Sequence, residues 1–197
     1  MRVRESYSIV ISPREKDVSS VKDMKGLLFK AIGMYGSRNS EAHITIVTFK
    51  ADPPELDKVI RYVNTFCLRC SAENLEFVKF ASFSTTFTFY LESSSDTQEW
   101  FKELVKRFNK QFPLNKTTCE YSTSSKAHIT IGRKLNLSKL GVAHHLFKNQ
   151  TVDIVFPCKS MVIRKFNPDI GQYEALSHHL FGNKTDLYLE DQQLSLF

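Results

Sequence analysis

The pentapeptide Ala-His-Ile-Thr-Ile occurs twice in this chain, at residues 42–46 and again at residues 127–131. Successive side chains of a β-strand alternate between its two faces, so residues i and i+2 share a face about 6.6 Å apart. As strands, the two copies put His43 with Thr45, and His128 with Thr130, on one side. Ala42, Ile44 and Ile46 turn the other way, as do Ala127, Ile129 and Ile131, and this apolar side suits burial. Packing accounts for the repeated isoleucines. It does not account for His and Thr repeating on the opposite face.

The flanking sequence repeats in outline too. Residues 6–12 alternate and read as a strand, and Val21, Met24, Leu28 and Ile32 then fall on one helical face that stops near Gly33. The first pentapeptide strand ends at Ala-Asp-Pro-Pro-Glu, whose prolines suit the start of a helix running to about Cys70. Residues 75–83 and 85–91 predict two strands joined by a short turn near Ser82 to Thr85. Asp96 with Glu99 suggests a capping box for a helix carrying Phe101, Leu104, Val105, Phe108 and Phe112. A polar loop leads to the second pentapeptide. Asn136 then caps a helix with Leu137, Leu140, His144 and Phe147, and residues 151–156, 160–166 and 172–180 read as strands. The order predicts an α+β fold of antiparallel sheets with helices packed outside, built as an imperfect internal duplication. Residues 1–180 form one domain in this scheme, and residues 181–197 an extension or tail.

Hydrophobic residues make up 42% of the 197, including 16 Phe, which is enough to fill a sizeable interior. The N-terminal apolar run is too short and interrupted for a signal peptide, and no stretch reaches the roughly 20 apolar residues that span a bilayer. A soluble, cytoplasmic protein with no membrane partner is expected. The net charge of +6 favours anionic partners, but 27 basic against 21 acidic residues is a moderate excess. Cys67 and Cys70 form a Cys-x-x-Cys on a helical pattern, and Cys119 and Cys158 stand apart, so reduced thiols are expected rather than a zinc site.

Two strands of this kind set side by side around a pseudo-two-fold axis make a cleft with two imidazoles and two hydroxyls. One neutral and one protonated imidazole can act as general base and general acid near neutral pH. The threonine hydroxyls can hydrogen-bond phosphate oxygens. That set suits in-line attack at a phosphodiester without a metal. A zinc site is the rival use of the histidines, but catalytic zinc takes three protein ligands and no spacing here completes such a set.

At these residues the sequence resembles the 2H phosphoesterase superfamily, in particular bacterial 2′-5′ RNA ligase-like proteins, whose mark is two His-x-Ser/Thr-x motifs. Residues 6–13 resemble the family's opening strand, and residues 152–176 its closing strands. The resemblance implies a bilobed α+β structure with a pseudo-two-fold and a cleft between lobes. It implies His43 and His128 as the catalytic pair, Thr45 and Thr130 as phosphate-binding hydroxyls, and Arg133 as a further phosphate ligand. Strict alternation would turn Arg133 away from His128 unless Gly132 permits a bulge. The implied chemistry is metal-independent and cofactor-free, on 2′,3′-cyclic phosphate or 2′-5′ phosphodiester bonds of RNA or nucleotides. An RNA-binding module with little catalysis and a phosphodiesterase for a cyclic phosphate of ADP-ribose are the alternatives. Ala127 stands where bacterial RNA ligases of this group often have proline, so the chemistry transfers more securely than the ligase name.

Tyr7 and Tyr173 are candidates for stacking on a base. Lys126, Lys134, Lys159, Arg164 and Lys165 either line a path for RNA or form a solvated face. His144–His145 and His178–His179 can each turn at most one ring to the cleft. At the end of the chain, Gln193, Leu194, Ser195, Leu196 and Phe197 resemble the short peptide by which bacterial proteins dock on the DNA-polymerase sliding clamp.

Overall fold

In the computed structural model, residues 3–115 and 119–182 are described. The clamp-like peptide at residues 193–197 lies outside them. The elements run β1 (Glu5–Ile11), α1 (Glu15–Ile32), β2 (Ile44–Ala51), α2 (Pro53–Leu68), β3 (Glu73–Phe83), β4 (Thr88–Ser93) and α3 (Ser95–Lys110). They continue with β5 (Ser122–Thr123), β6 (His128–Gly132), α4 (Leu137–Phe147), β7 (Ile154–Cys158), β8 (Ser160–Asn167) and β9 (Gln172–Leu180). One antiparallel sheet has the order β5-β2-β1-β8-β9 and the other β6-β4-β3-β7. This is the expected α+β class. The repeated unit is strand, helix, motif strand, helix: β1-α1-β2-α2 in one half and β4-α3-β6-α4 in the other.

Local chemistry sets the helix starts. Asp52 accepts from the Glu55 amide while the Glu55 carboxylate accepts from the Asp52 amide, a reciprocal capping box ahead of Pro53 and Pro54. Asn136 caps α4 through the Lys139 amide. The cap of α3 lies earlier than expected: Ser94, not Asp96, accepts from the Thr97 amide. The turn between β3 and β4 lies later than expected, at residues 84–87, with Phe87 at φ 47.

The abundant phenylalanines form the joint between helices and sheets. Phe66, Phe108, Phe112 and Tyr62 meet edge-on or tilted between α2 and α3, with ring centroids 5.1–6.2 Å apart. In the second half Phe80, Phe89 and Phe147 tie α4 to β3 and β4. Such pairs add about 0.5–1.5 kcal/mol each beyond the area they bury. All four cysteines are free and buried. Burial pushes the Cys67 and Cys158 thiols upward, and Cys70 donates to the Phe66 carbonyl.

Each motif strand carries a register shift just past its threonine. Thr45 pairs with Val10 and Val47 with Ile9, so Ile46 is the extra residue in β2. Thr130 pairs with Tyr90 and Gly132 with Phe89, so Ile131 is the extra residue in β6. Ile46 and Val47 are both fully buried, as are Ile131 and, more loosely, Gly132. The extra residue resets the alternation, and the following positions, Thr48 and Arg133, return to the side of the motif histidine. Arg133 follows this register shift, immediately past the end of β6.

The chain leaves β9 against the C-terminal end of α2. Phe181 donates to the Lys159 carbonyl and Gly182 to the Cys67 carbonyl. A Cβ on Gly182 would overlap the Leu68 carbonyl oxygen and lie 3.1 Å from its carbon, so only glycine fits this crossing. Gly182→Ala is expected to cost about 1–3 kcal/mol, the range for forced overpacking. A fall in the urea midpoint at unchanged m-value reads this out, and an unchanged midpoint would show that the crossing carries no stability.

Candidate active site

Both motif histidines stand at the start of their strands, His43 immediately before β2 and His128 as the first residue of β6. Strands β2 and β6 are in contact, so the two motifs meet across the boundary between the sheets. Each imidazole is half-buried and makes the same bond: His43 Nδ1 to the Glu41 carbonyl at 2.7 Å, and His128 Nδ1 to the Lys126 carbonyl at 2.9 Å. A carbonyl only accepts, so Nδ1 carries the proton in both rings. The neutral form therefore keeps its lone pair on Nε2. Two imidazoles are thus locked in one tautomer by the backbone two residues upstream.

Electrostatics separate them. Burial first, and the Arg164 guanidinium second, hold His43 well below the ordinary 6.5, at about 3; a charge on His128 lowers it further. Burial lowers His128 as well, with the Lys126 ammonium acting in the same direction and the Lys126 carbonyl opposing. Both rings are neutral in the free protein near pH 7.

Lys25 of α1 holds the loop that delivers His43. Its side chain is 2% exposed, and Nζ donates to the Ser37 carbonyl (3.1 Å), the Ser40 carbonyl (2.6 Å) and Ser40 Oγ (3.0 Å). Ser37 Oγ donates in turn to the carbonyl of Ile131, the extra residue of β6, at 3.3 Å. One buried amine therefore fixes the approach to the first motif and ties it to the second. Burial, then Arg38, lowers Lys25 to about 8.

Thr45 and Thr130 are half-buried on the histidine face of β2 and β6. Arg133 is exposed just past β6. Around His128 the wall is aromatic: Phe83 and Tyr90 stack at 4.3 Å, and each meets the imidazole edge-on at 5.3 Å. Lys126 Nζ lies over Tyr90, donates to its hydroxyl at 3.0 Å and pairs with Glu92. Neither Phe83 nor Tyr90 stands out in the sequence. Tyr90 was findable, since the strand neighbour of a motif threonine shares its face, but the pairing itself is long-range.

The expectation for Tyr7 needs correction. Tyr7 is 2% exposed, donates to Glu5 and stacks on Phe49 at 5.5 Å in the core, leaving no open face for a base. Its parity is that of Ile9 and Ile11; Ser8 faces the other way. Tyr173 is half-buried, with Phe166 at 5.2 Å and the Arg164 guanidinium 5.5 Å over its ring. Arg164 belongs to no solvated face, being 8% exposed. Of the paired histidines, His144 bonds Ser82 and packs edge-on against Phe89, while His179 is buried and bonds Ser177. Among the described residues, no group of three or more His, Cys, Asp or Glu is arranged to hold a metal, and no helix is long and apolar enough to cross a membrane.

The lowered His43 makes a stability prediction. In the unfolded chain its imidazole takes up a proton near 6.5, whereas in the fold it stays neutral down to about 3. The unfolded state binds more protons between these values, so stability falls as pH drops through them. In His43→Asn this contribution vanishes. The urea midpoint of the variant is expected to fall less between pH 7 and pH 5 than that of the wild type; parallel curves would contradict a desolvated His43.

A family model for the 2′-5′ RNA ligase superfamily matches residues 13–169. No curated protein matches in sequence. Escherichia coli LigT complexed with 3′-AMP superposes with a TM-score of 0.64 at 10% identity, over 92% of this chain and 100% of that one. TT0787 of Thermus thermophilus gives the same four values. Usb1 of Kluyveromyces marxianus gives 0.50 at 11% identity, over 81% and 93%. At such identities the structural likeness establishes the fold, and the motif-bearing span matched by the family model establishes the lineage. The chain belongs to the 2′-5′ RNA ligase superfamily of 2H phosphoesterases.

Proposed function

We propose that this protein is a metal-independent phosphodiesterase acting on 2′,3′-cyclic phosphate or 2′-5′ phosphodiester bonds of RNA or nucleotides. The observation that carries the proposal is the shared tautomer of His43 and His128, each with Nδ1 tied to a carbonyl and Nε2 left to exchange a proton. Family membership supports the same chemistry, as does the 3′-AMP in the E. coli LigT structure, a nucleotide with its phosphate on the ribose 3′ oxygen.

The proposed step is an in-line displacement. Nε2 of His43, the imidazole held furthest from protonation, takes a proton from the attacking water as its oxygen bonds to phosphorus. The phosphorus–oxygen bond to the leaving ribose oxygen breaks, and the Nε2 proton of His128 passes to that oxygen. The product is a ribose phosphomonoester with an adjacent hydroxyl. A proton is gained by one ring and lost by the other, so the pair is restored by exchange with water. The negative charge of the substrate favours the protonated His128 that the step needs. Thr45 and Thr130 donate to non-bridging oxygens, and Arg133, just past β6, adds charge to the phosphate.

His43→Ala and His128→Ala are each expected to lower the rate by at least about 10²-fold. They should differ on a nucleoside phosphodiester with a 4-nitrophenolate leaving group, which needs no acid: His128→Ala recovers most of its loss, and His43→Ala does not. Recovery by His43→Ala instead would reverse the two roles, and near-wild-type activity of either folded variant on the cyclic phosphate would end the two-histidine mechanism.

The pH profile is a separate check. Catalysis needs one ring neutral and the other protonated, so kcat/KM peaks between the two pKa values of the free protein. Both lie below the ordinary 6.5. The expected profile in EDTA is a bell whose maximum falls below pH 6.5 and whose alkaline limb is loss of the acid's proton. A maximum above pH 7.5 would contradict the burial of the pair.

A further inference from the structure

The two halves of the cleft are related by register, and at one position they differ. On the first sheet Val10 lies between Thr45 and Val162, and one pair further along β1 Ser8 lies opposite Arg164. On the second sheet Tyr90 lies between Thr130 and Ala81, and one pair further along β4 Thr88 lies opposite Phe83. Arg164 and Phe83 are therefore equivalents. Phe83 lies against His128, and the charge of Arg164 reaches His43. Where one half offers the face of a ring, the other offers a guanidinium.

Arg164 is built as an anion site. Its strand neighbours Met161 and Ile163 belong to the core cluster while Val162 does not, which puts Arg164 on the cleft side of β8. It is 8% exposed, yet among the described residues its hydrogen bond is to a neutral group, Ser8 Oγ at 3.3 Å, and it makes no ion pair. The exposed Glu41 acts on it only through space. The Tyr173 ring backs the guanidinium plane. A buried charge without a counter-ion is unfavourable, and a ligand anion is what compensates it. Its place along the sheet is one register pair beyond the row of Thr45, a strand step of about 6.6 Å.

We propose that Arg164, with Ser8, holds a second, non-reacting phosphate on the His43 side, so that the preferred substrate is a ribonucleotide whose 5′ oxygen also carries a phosphate. The subsite rests on the phosphodiesterase function proposed above and specifies its substrate. The aromatic wall of Phe83 and Tyr90 occupies the other half, so the cleft accepts the substrate in one direction only.

The test compares adenosine 2′,3′-cyclic phosphate, the same compound with a 5′-phosphate, and a dinucleotide whose 5′ phosphate is a diester. Wild type is expected to favour both phosphorylated substrates in kcat/KM by at least about tenfold, the worth of one charge-assisted hydrogen bond. Preference for the monoester alone assigns the site to nucleotides, and equal preference assigns it to RNA ends. In Arg164→Gln the preference among the three substrates disappears, each being compared at its own pH optimum because His43 loses the charge that lowers it, and Arg164→Lys keeps part of the preference. Equal loss on all three substrates would mean that Arg164 grips the reacting phosphate, and absence of any preference in wild type would remove the subsite; either overturns the proposal. Calorimetric titration with 3′-AMP and adenosine 3′,5′-bisphosphate separates this from the catalytic function. If nothing is turned over but wild type binds the bisphosphate more tightly and Arg164→Gln does not, the subsite stands and the phosphodiesterase assignment fails. No ion pair is lost in the variant, so its Tm is expected to hold or rise; a marked fall would make Arg164 structural and overturn the proposal.

Discussion

A single buried ammonium group organises the cleft. Lys25 leaves α1 and enters the apolar interior, where three oxygens of the residue 37–40 turn receive it. Burying a lysine is unfavourable unless its donors are satisfied, and here the satisfying groups are those that must be held still. The turn they belong to reaches across to β6 through Ser37 and runs on to Glu41, whose carbonyl orients His43. Remove the ammonium, and the first motif loses its anchor to the second. Sheet packing alone positions Thr45; the histidine, one residue ahead of β2, depends on this loop.

Much of the fold was legible from periodicity. Residues 6–12 alternate and β1 forms there; Val21, Met24 and Leu28 mark a helix face that ends with Gly33 as its cap. Errors arose where two signals of similar strength lay close together. Asp96 and Ser94 are both good caps, and nothing local decides between them, because the choice follows from where β4 ends. The two-residue strand β5 carries too little pattern to be read at all.

The site divides along the same line. Histidine and threonine were legible because the chain repeats them. What surrounds them comes from β3, β4 and β8, and only the register of distant strands places Tyr90 beside Thr130 or Arg164 opposite Ser8. Arg164 read as one of several cations that either line a path for RNA or form a solvated face, since sequence does not reveal burial without a partner. Tyr7 misled because aromatic character was weighed without parity: it falls in step with Ile9 and Ile11. The tautomer of the histidines was beyond sequence, being set by backbone carbonyls rather than side chains.

The thiols of the core have a practical consequence. Three of the four, Cys67, Cys70 and Cys158, sense one another electrostatically, and burial keeps them in the neutral, unreactive form. At these three positions an alkylating reagent at neutral pH therefore finds no thiolate while the chain is folded. Labelling proceeds only as fast as the α2 end and β7 come apart, so mass spectrometry of the modified cysteines becomes a clock for local opening at the place where Gly182 crosses the end of α2.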